Sequence, residues 1–365
     1  MNTTEQPKYM VRVSCMTFNH VNYIEDAMNG FTMQETKFPF ICTIIDDAST
    51  DGEQEVIKKY LQEHFDLDDK STVRNEDTDD YKLTFARHKT NRNCYFAVIY
   101  LKYNHYCIKK SKDPYIKEWQ DTVKYIALCE GDDYWTHPQK LQMQYEVLEA
   151  HPKYTISFHR TQVVNADNSI IKGSTIPSKG YLEDKGEVTL LDFCQTQFRR
   201  NFSWSFQTSS FFYRVKMINK IQELEKTALR NFPFGDAKIV LTCLSEGNGF
   251  LIRDYMSCYR ALTGVCAKQR RDNNLRLKVN HKIIEAYKDF DLYTDYKYHK
   301  YFKLRTLRAE IECKMIENKW ALLNPKYWPI TMSRSFLMVF ASENIQPMFP
   351  TIYSMVRYIY RKAKK

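Results

Sequence analysis

Two pairs of adjacent aspartates close short apolar runs in this chain. Asp46-Asp47 follows Ile41-Cys42-Thr43-Ile44-Ile45, and Asp132-Asp133 follows Tyr125-Ile126-Ala127-Leu128-Cys129-Glu130-Gly131. An apolar run of this length reads as a strand buried on both faces of a parallel sheet. Carboxylates at its C-terminal end fall in the crevice where open α/β sheets bind ligands. Adjacent acids in that place suit a divalent cation and a phosphorylated ligand. Two other pairs, Asp68-Asp69 and Asp79-Asp80, lie in a polar stretch with no apolar run ending at them. They read as solvated loop.

Further segments extend the pattern. Val13-Ser14-Cys15-Met16-Thr17-Phe18-Asn19 is an apolar run ending in a polar-aromatic turn. Ile44-Ile45-Asp46-Asp47-Ala48-Ser49-Thr50-Asp51-Gly52 and Glu130-Gly131-Asp132-Asp133-Tyr134-Trp135 follow, and Phe234-Gly235-Asp236 puts an acid at a helix start. In order and spacing these resemble the family 2 inverting glycosyltransferases of the GT-A fold, over roughly residues 9 to 260. One departure is the adjacent pair Asp132-Asp133 where many members show Asp-x-Asp.

The resemblance implies a role for each matching residue. Thr17 and Phe18 flank the nucleotide base and Asp47 hydrogen-bonds it. Asp132 lies near the ribose or donor sugar and shares a Mn²⁺ or Mg²⁺ ion with Asp133, and Asp236 is the general base. Arg87 is placed to face the base, and Arg260, ending the strand before a loop, Ala261 to Ala267, that can close over the diphosphate, is placed to contact it. The donor is a nucleotide-diphosphate sugar of the UDP kind. The acceptor is a glycan or lipid-linked hydroxyl, and the setting is bacterial surface-polysaccharide synthesis in the cytoplasm.

The chemistry agrees with these roles. Negative charge grows on a nucleoside diphosphate as the sugar leaves, and a metal held by one or two carboxylates neutralises it. The attacking hydroxyl loses a proton, which a partly desolvated carboxylate can take. Structural readings compete at each position. Asp132, Asp133 and Asp236 could cap helices. Phe18 could be core, as could Trp135 and Trp204, which also offer faces for sugar stacking. Arg87 could be merely solvated.

Such a site needs a scaffold, and the chain alternates strand and helix patterns. Strands are expected at Val11–Met16, Phe40–Ile45, Lys82–Ala86, Tyr125–Cys129, Thr155–Val164, Ser209–Tyr213, Gly249–Ile252 and Met256–Tyr259. Helices are expected at Tyr23–Gly30, Glu53–His64, from Asn93 to about Lys109, at Gln139–Ala150 and from Asp236. Residues 66–80 read as an acidic surface insertion. This is an α/β fold, a mostly parallel sheet flanked by helices. The expected division is a glycosyltransferase domain at 1–265 and a helical, basic C-terminal extension at 266–365.

Composition sets outer bounds. The 365 residues carry a formal charge of +10, which admits nucleic acid, anionic lipid or phosphorylated small molecules as partners. The ten cysteines show no paired or metal-type spacing, which fits a reducing compartment. No run approaches the length of a membrane span, and residues 1–9 lack a signal-like apolar stretch. At the C-terminus, Ile352, Met355, Val356 and Ile359 share a helical face, while Arg357, Arg361, Lys364 and Lys365 fall largely elsewhere. That pattern suits either peripheral contact with the inner face of a membrane or a terminal helix docked on its own core. Two rival functions remain: a nucleotidyltransferase of similar architecture, and a non-enzymatic binder of nucleic acid or lipid. The acid at Phe234-Gly235-Asp236 disfavours the first. Strand-end acids would repel phosphates without a cation, which disfavours the second and with it a nucleic-acid partner.

Overall fold

The computed structural model describes residues 8–178, 182, 185–199, 206–261, 272–318 and 324–327. Trp204, all of the loop after Ala261 as far as Ala267, and the basic C-terminal segment lie outside the described residues. The chain forms two compact units. The first comprises Met1–Gln197, Ser203–Thr227 and Phe234–Ala267, and the second Phe198–Phe202, Ala228–Pro233 and Lys268–Lys365.

The first unit is α/β, a sheet flanked by helices. Its centre is four parallel strands: β1 (Val11–Thr17), β2 (Phe40–Asp46), β5 (Cys94–Leu101) and β6 (Tyr125–Leu128). β2 is buried along its whole length, as its unbroken apolar run requires. Antiparallel strands extend both sides. β4 (Tyr81–Arg87) and β3 (Arg74–Asp77) follow β5. β11 (Phe212–Arg214) joins β6 to β8 (Tyr154–Val164), which pairs in parallel with β12 (Asn248–Arg260). The full order is β10-β12-β8-β11-β6-β1-β2-β5-β4-β3, where β10 is Glu187–Val188. β7 (Tyr134–Trp135) pairs with β12, and β9 (Ile170–Ile176) with β8. Parallel pairing thus holds at the centre, and the flanks are mixed.

The helices of this unit are α1 (Ile24–Thr32), α2 (Glu53–His64), the single turn α3 (His105–Ile108), α4 (Asp113–Gln120), α5 (Lys140–Ala150), α6 (Leu190–Arg199), α7 (Met217–Lys226) and α8 (Gly235–Glu246). α1 packs directly on β7. A Cβ on Gly30 would stand 2.8 Å from the Trp135 backbone nitrogen, so only glycine permits the approach. Trp135 is itself core. It is buried, meets Phe31 edge-on at 5.0 Å, and donates its indole N–H to Ser209 O at 2.9 Å. Burial of each such side chain is worth about 2–3 kcal/mol.

Three elements differ from the sequence reading. The helix expected after Asn93 is strand β5. Tyr95-Phe96-Ala97-Val98-Ile99-Tyr100-Leu101 is aromatic and β-branched, and pairing between β2 and β4 decides its conformation. Asn93 caps no helix; its amide donates to Thr36 O. The two short strands expected near Gly249 and Met256 form the single strand β12, with register shifts between Ile252 and Ser257 where the polar pair Arg253-Asp254 interrupts the pattern. The acidic insertion contains β3, and Asp80 within it is bound by Lys110, Tyr115 and Tyr103.

In the second unit, α9 (Asn273–Tyr293) and α10 (His299–Glu317) are antiparallel neighbours; Asp272 caps α9 by accepting from the Asn274 and Leu275 amides. Phe290 and Tyr287 of α9 meet Phe302 of α10, with ring centroids 5.6 Å apart in each pair. This helical C-terminal region accords with the sequence reading. Among the described residues no helix is long and apolar enough to cross a membrane, and nine cysteines are free thiols.

Candidate active site

The register sets the site. Thr17 pairs with Asp46, so β1 and β2 end level. β6 ends opposite Ser14, and the segment after it continues along β1 with Gly131 N donating to Met16 O at 3.0 Å. All three strand ends therefore open on one rim.

The turns after β1 and β2 are stapled to each other. Asn19 N donates to Ser49 Oγ at 2.8 Å, Thr50 N to Asn19 Oδ1 at 2.9 Å, and Val21 N to Asp51 Oδ2 at 2.9 Å. Glu53 is fully buried at the start of α2. It accepts from the Thr17 hydroxyl, from His20 N at 2.9 Å and from Ser49 Oγ at 2.8 Å. Sequence reasoning missed Glu53, although Thr50-Asp51-Gly52-Glu53 has capping-box spacing. Thr17 is thus committed to Glu53 and His20, whereas Phe18 is 42% exposed on the same rim and is not core.

Asp47 is held from the other side. Its carboxylate accepts His105 N at 2.7 Å and Tyr106 N at 3.1 Å, and pairs with Lys112 at 3.0 Å. The side chain is 7% exposed, so the residue expected to read the base is first the anchor of α3. Beyond it, His105 bonds Tyr103 O at 2.8 Å and Tyr115 Oη at 3.0 Å, and Tyr115 donates to Asp80. Those partners hold the Asp80 carboxyl down at about 2, mainly through Lys110 and Tyr103. Arg87 is not brought to this group. β4 runs antiparallel to β5, so Arg87 lies opposite Tyr95 near the start of β5, far from the Asp46 end of β2. It donates to Arg92 O within the hairpin turn.

Acids converge after β6. Asp133 is buried; its carboxylate accepts Arg260 N and Gln207 Nε2, each at 3.1 Å. Burial raises its pKa well above the usual carboxylate range, and Asp132 and Glu130 raise it further, while those two donors oppose the shift. Neither aspartate accepts from an amide at the start of α5 in these bonds, so the capping alternative does not account for them. Glu130 keeps an exposed face. Desolvation, then the charges of Asp132 and Asp236, push its carboxyl up to about 7. The open face tempers the first of these causes. Asp236 is thus near enough for its charge to act on Glu130. It sits in the first turn of α8, its Oδ1 accepts Ala237 N at 2.7 Å, and desolvation raises its pKa.

Arg260 is placed otherwise than expected for a diphosphate contact. It is fully buried between the rings of Tyr23 and Tyr134, each 4.7 Å from the guanidinium carbon. It pairs with Asp26, bonds Asn168 Oδ1, and donates to Asp132 O at 2.7 Å. It fastens the Asp132-Asp133 backbone to α1 and to the turn after β8. Beside it a cleft of about 550 Å³ opens, lined by Asn19, His20, Tyr23, Asn165, Ala166, Asp167 and Ala261.

Among the described residues no three His, Cys, Asp or Glu side chains are arranged to hold a metal ion alone. The donor set nevertheless fits a hard cation completed by substrate phosphates. Such sites use one or two carboxylates, and the like charges of Glu130, Asp132 and Asp133 would be relieved by one. Asp132 and Asp133 are the residues that would hold it.

No protein-family model matches the sequence. Uncharacterized proteins of Mycobacterium bovis and Mycobacterium tuberculosis are 31% identical over 199 residues, which is 54% of this chain and 45% of each relative. The chain thus spans less than half the length of the curated relatives it matches. Among solved structures, residues 1–349 of S. aureus TarS in complex with UDP-GlcNAc align over 97% of this chain and 92% of that one, at 15% identity and a TM-score of 0.49. The mannosyltransferase PcManGT from Pyrobaculum calidifontis, in complex with GDP-Man and Mn²⁺, aligns over 99% and 87%, at 12% identity and a TM-score of 0.47. Neither likeness decides what the site does.

Proposed function

We propose that this chain transfers a sugar, of the hexose class, from a nucleotide-diphosphate donor to an acceptor hydroxyl with inversion. The observation that carries the reading is the group Glu130, Asp132 and Asp133 just after β6, where the central parallel strands end, with Asp236 near enough for its charge to act on Glu130. An acid pair for the phosphate side and a separate candidate base near it support that reading.

Asp236 takes the proton of the acceptor hydroxyl as its oxygen bonds the anomeric carbon from the face opposite the diphosphate. The carbon–oxygen bond to the diphosphate breaks, and its electron pair leaves with that group. Desolvation raises the pKa of Asp236, the direction that makes a carboxylate a better base. A bound Mn²⁺ or Mg²⁺ would supply neutralising charge to the leaving diphosphate. Asp132 and Asp133 orient that end of the donor. Exposed Phe18 offers a stacking face for the base, and Asp47 serves the base end by fixing α3. A UDP-sugar donor, a glycan or lipid-linked acceptor and surface-polysaccharide synthesis complete the reading, on the strength of the sequence motifs.

The test incubates the protein with UDP- and GDP-sugars and Mn²⁺, with and without EDTA. Release of nucleoside diphosphate, with a product of inverted anomeric configuration by NMR, is expected. Pyrophosphate release from nucleoside triphosphate and sugar phosphate would instead establish nucleotidyl transfer. Binding of anionic ligands with no turnover would leave the non-enzymatic alternative.

A further inference from the structure

We propose that His20 is a ligand of the divalent cation, presenting Nε2 beside Asp132; the role rests on the metal-dependent reading above. Hydrogen-bond roles fix its ring. Thr17 has one hydroxyl proton, and Glu53, fully buried, is the carboxylate that takes it. Thr17 Oγ1 can therefore only accept from His20 Nδ1, 3.2 Å away, so Nδ1 carries the proton in this network. The His20 backbone N–H binds the second oxygen of the same Glu53, which holds the residue at two points. The remaining ring nitrogen, Nε2, makes no hydrogen bond among the described residues and lies 4.0 Å from Asp132 Oδ2. That gap is too long for a hydrogen bond. It is one that two ligand bonds of about 2 Å to a shared cation would span.

The turn carrying the acids is built against this histidine. A Cβ on Gly131 would lie 2.2 Å from Thr17 Oγ1, 2.6 Å from Thr17 Cβ and 3.1 Å from His20 Nδ1. A glycine between Glu130 and Asp132 is thus the condition for bringing the Thr17–His20 pair into the acid cluster. His20 is 18% exposed, toward the cleft that its side chain helps line. The chain Glu53–Thr17–His20 matches the outer support of metal-binding histidines, whose far N–H is held by a hydrogen-bond acceptor that sets tautomer and orientation.

Mn²⁺ provides the probe. The full-length protein is titrated with Mn²⁺ by EPR, with and without UDP and with no sugar donor. Bound Mn²⁺ is then examined by electron spin echo envelope modulation for coupling to a directly bound nitrogen. Nitrogen coupling in the wild type, lost in His20→Gln, is expected, with Mn²⁺ affinity falling at least about tenfold. Thr17→Val keeps the imidazole but removes its support, and should weaken Mn²⁺ by about 10–100-fold. Bound Mn²⁺ without nitrogen coupling in the wild type overturns the assignment of His20 whether or not the variants fold, and leaves glycosyl transfer standing. Coupling that persists in His20→Gln also overturns it. Mn²⁺ binding unchanged in Asp132→Asn and in Asp133→Asn would overturn the metal site itself.

Discussion

The sequence admits two compatible readings of Asp236, a helix-start acid and the base proposed above. Its Oδ1 accepts the Ala237 amide in the first turn of α8, as a helix-terminal acid does. The helix terminus favours the anion, while desolvation lifts the carboxyl above its ordinary range. A base must be ionised to act yet basic enough to take a proton, and these opposed influences both act on the residue proposed above as that base. Asp236→Asn keeps the side-chain shape and an oxygen for Ala237 N, so donor affinity measured calorimetrically should be unchanged. Turnover should fall by about 10²–10⁴-fold, the range for losing a general base. A variant that loses donor affinity at normal turnover would assign Asp236 to binding instead.

At the level of elements, the motif residues act largely on one another. The turn after β1 and the turn after β2 exchange bonds through Asn19, Ser49, Thr50 and Asp51, with Glu53 beneath them. Gly131 locks the third turn onto that pair. Gly131→Ala should cost about 1–3 kcal/mol by overpacking, read as a lowered midpoint of denaturation. It should also displace Thr17 and His20 and so weaken Mn²⁺ binding. An alanine variant with wild-type stability and metal affinity would show that the turns are not tightly docked. The positions of the Asp46-Asp47 and Asp132-Asp133 pairs were legible because each follows a buried apolar run, a local signal. Arg87 and Arg260 were not, because their positions depend on pairing. Reading β5 as a helix hid the antiparallel hairpin that carries Arg87 away, and no local pattern reveals that Tyr23 and Tyr134 enclose Arg260. Glu53 was hidden by its type, since a charged residue is seldom fully buried unless paired, and its partners Thr17, His20 and Ser49 are brought to it by the fold.

For the whole molecule, the +10 charge bears on two separable matters. One is surface attraction. If the basic C-terminal segment binds anionic lipid at about 1 kcal/mol per basic residue, the intact protein should co-sediment with phosphatidylserine vesicles at low salt and be released at high salt. Deleting residues 351–365 should abolish this without lowering transfer to a soluble acceptor. Equal sedimentation of the truncated form would assign that segment to the protein's own core. The other is a positive charge inside the fold. Lys140 is fully buried, its Nζ donates to Gln144 Oε1 at 2.7 Å, and it lies 4.0 Å from the Trp135 ring centre. No carboxylate pairs with it in these contacts, and desolvation lowers its pKa from 10.5 to about 7. Below that value the amine is charged in folded and unfolded chains alike, and the fold bears the full cost of the buried charge. Between about 7 and 10.5 the unfolded chain binds the extra proton, so this residue makes stability rise with pH in that window. Lys140→Met removes the titration while keeping the volume. The melting temperature of the variant relative to wild type should therefore be highest near about pH 6.5 and decline toward about pH 9.5. A difference independent of pH would mean that Lys140 does not change protonation in the fold, and that the Gln144 and Trp135 contacts hold its charge as well as water does.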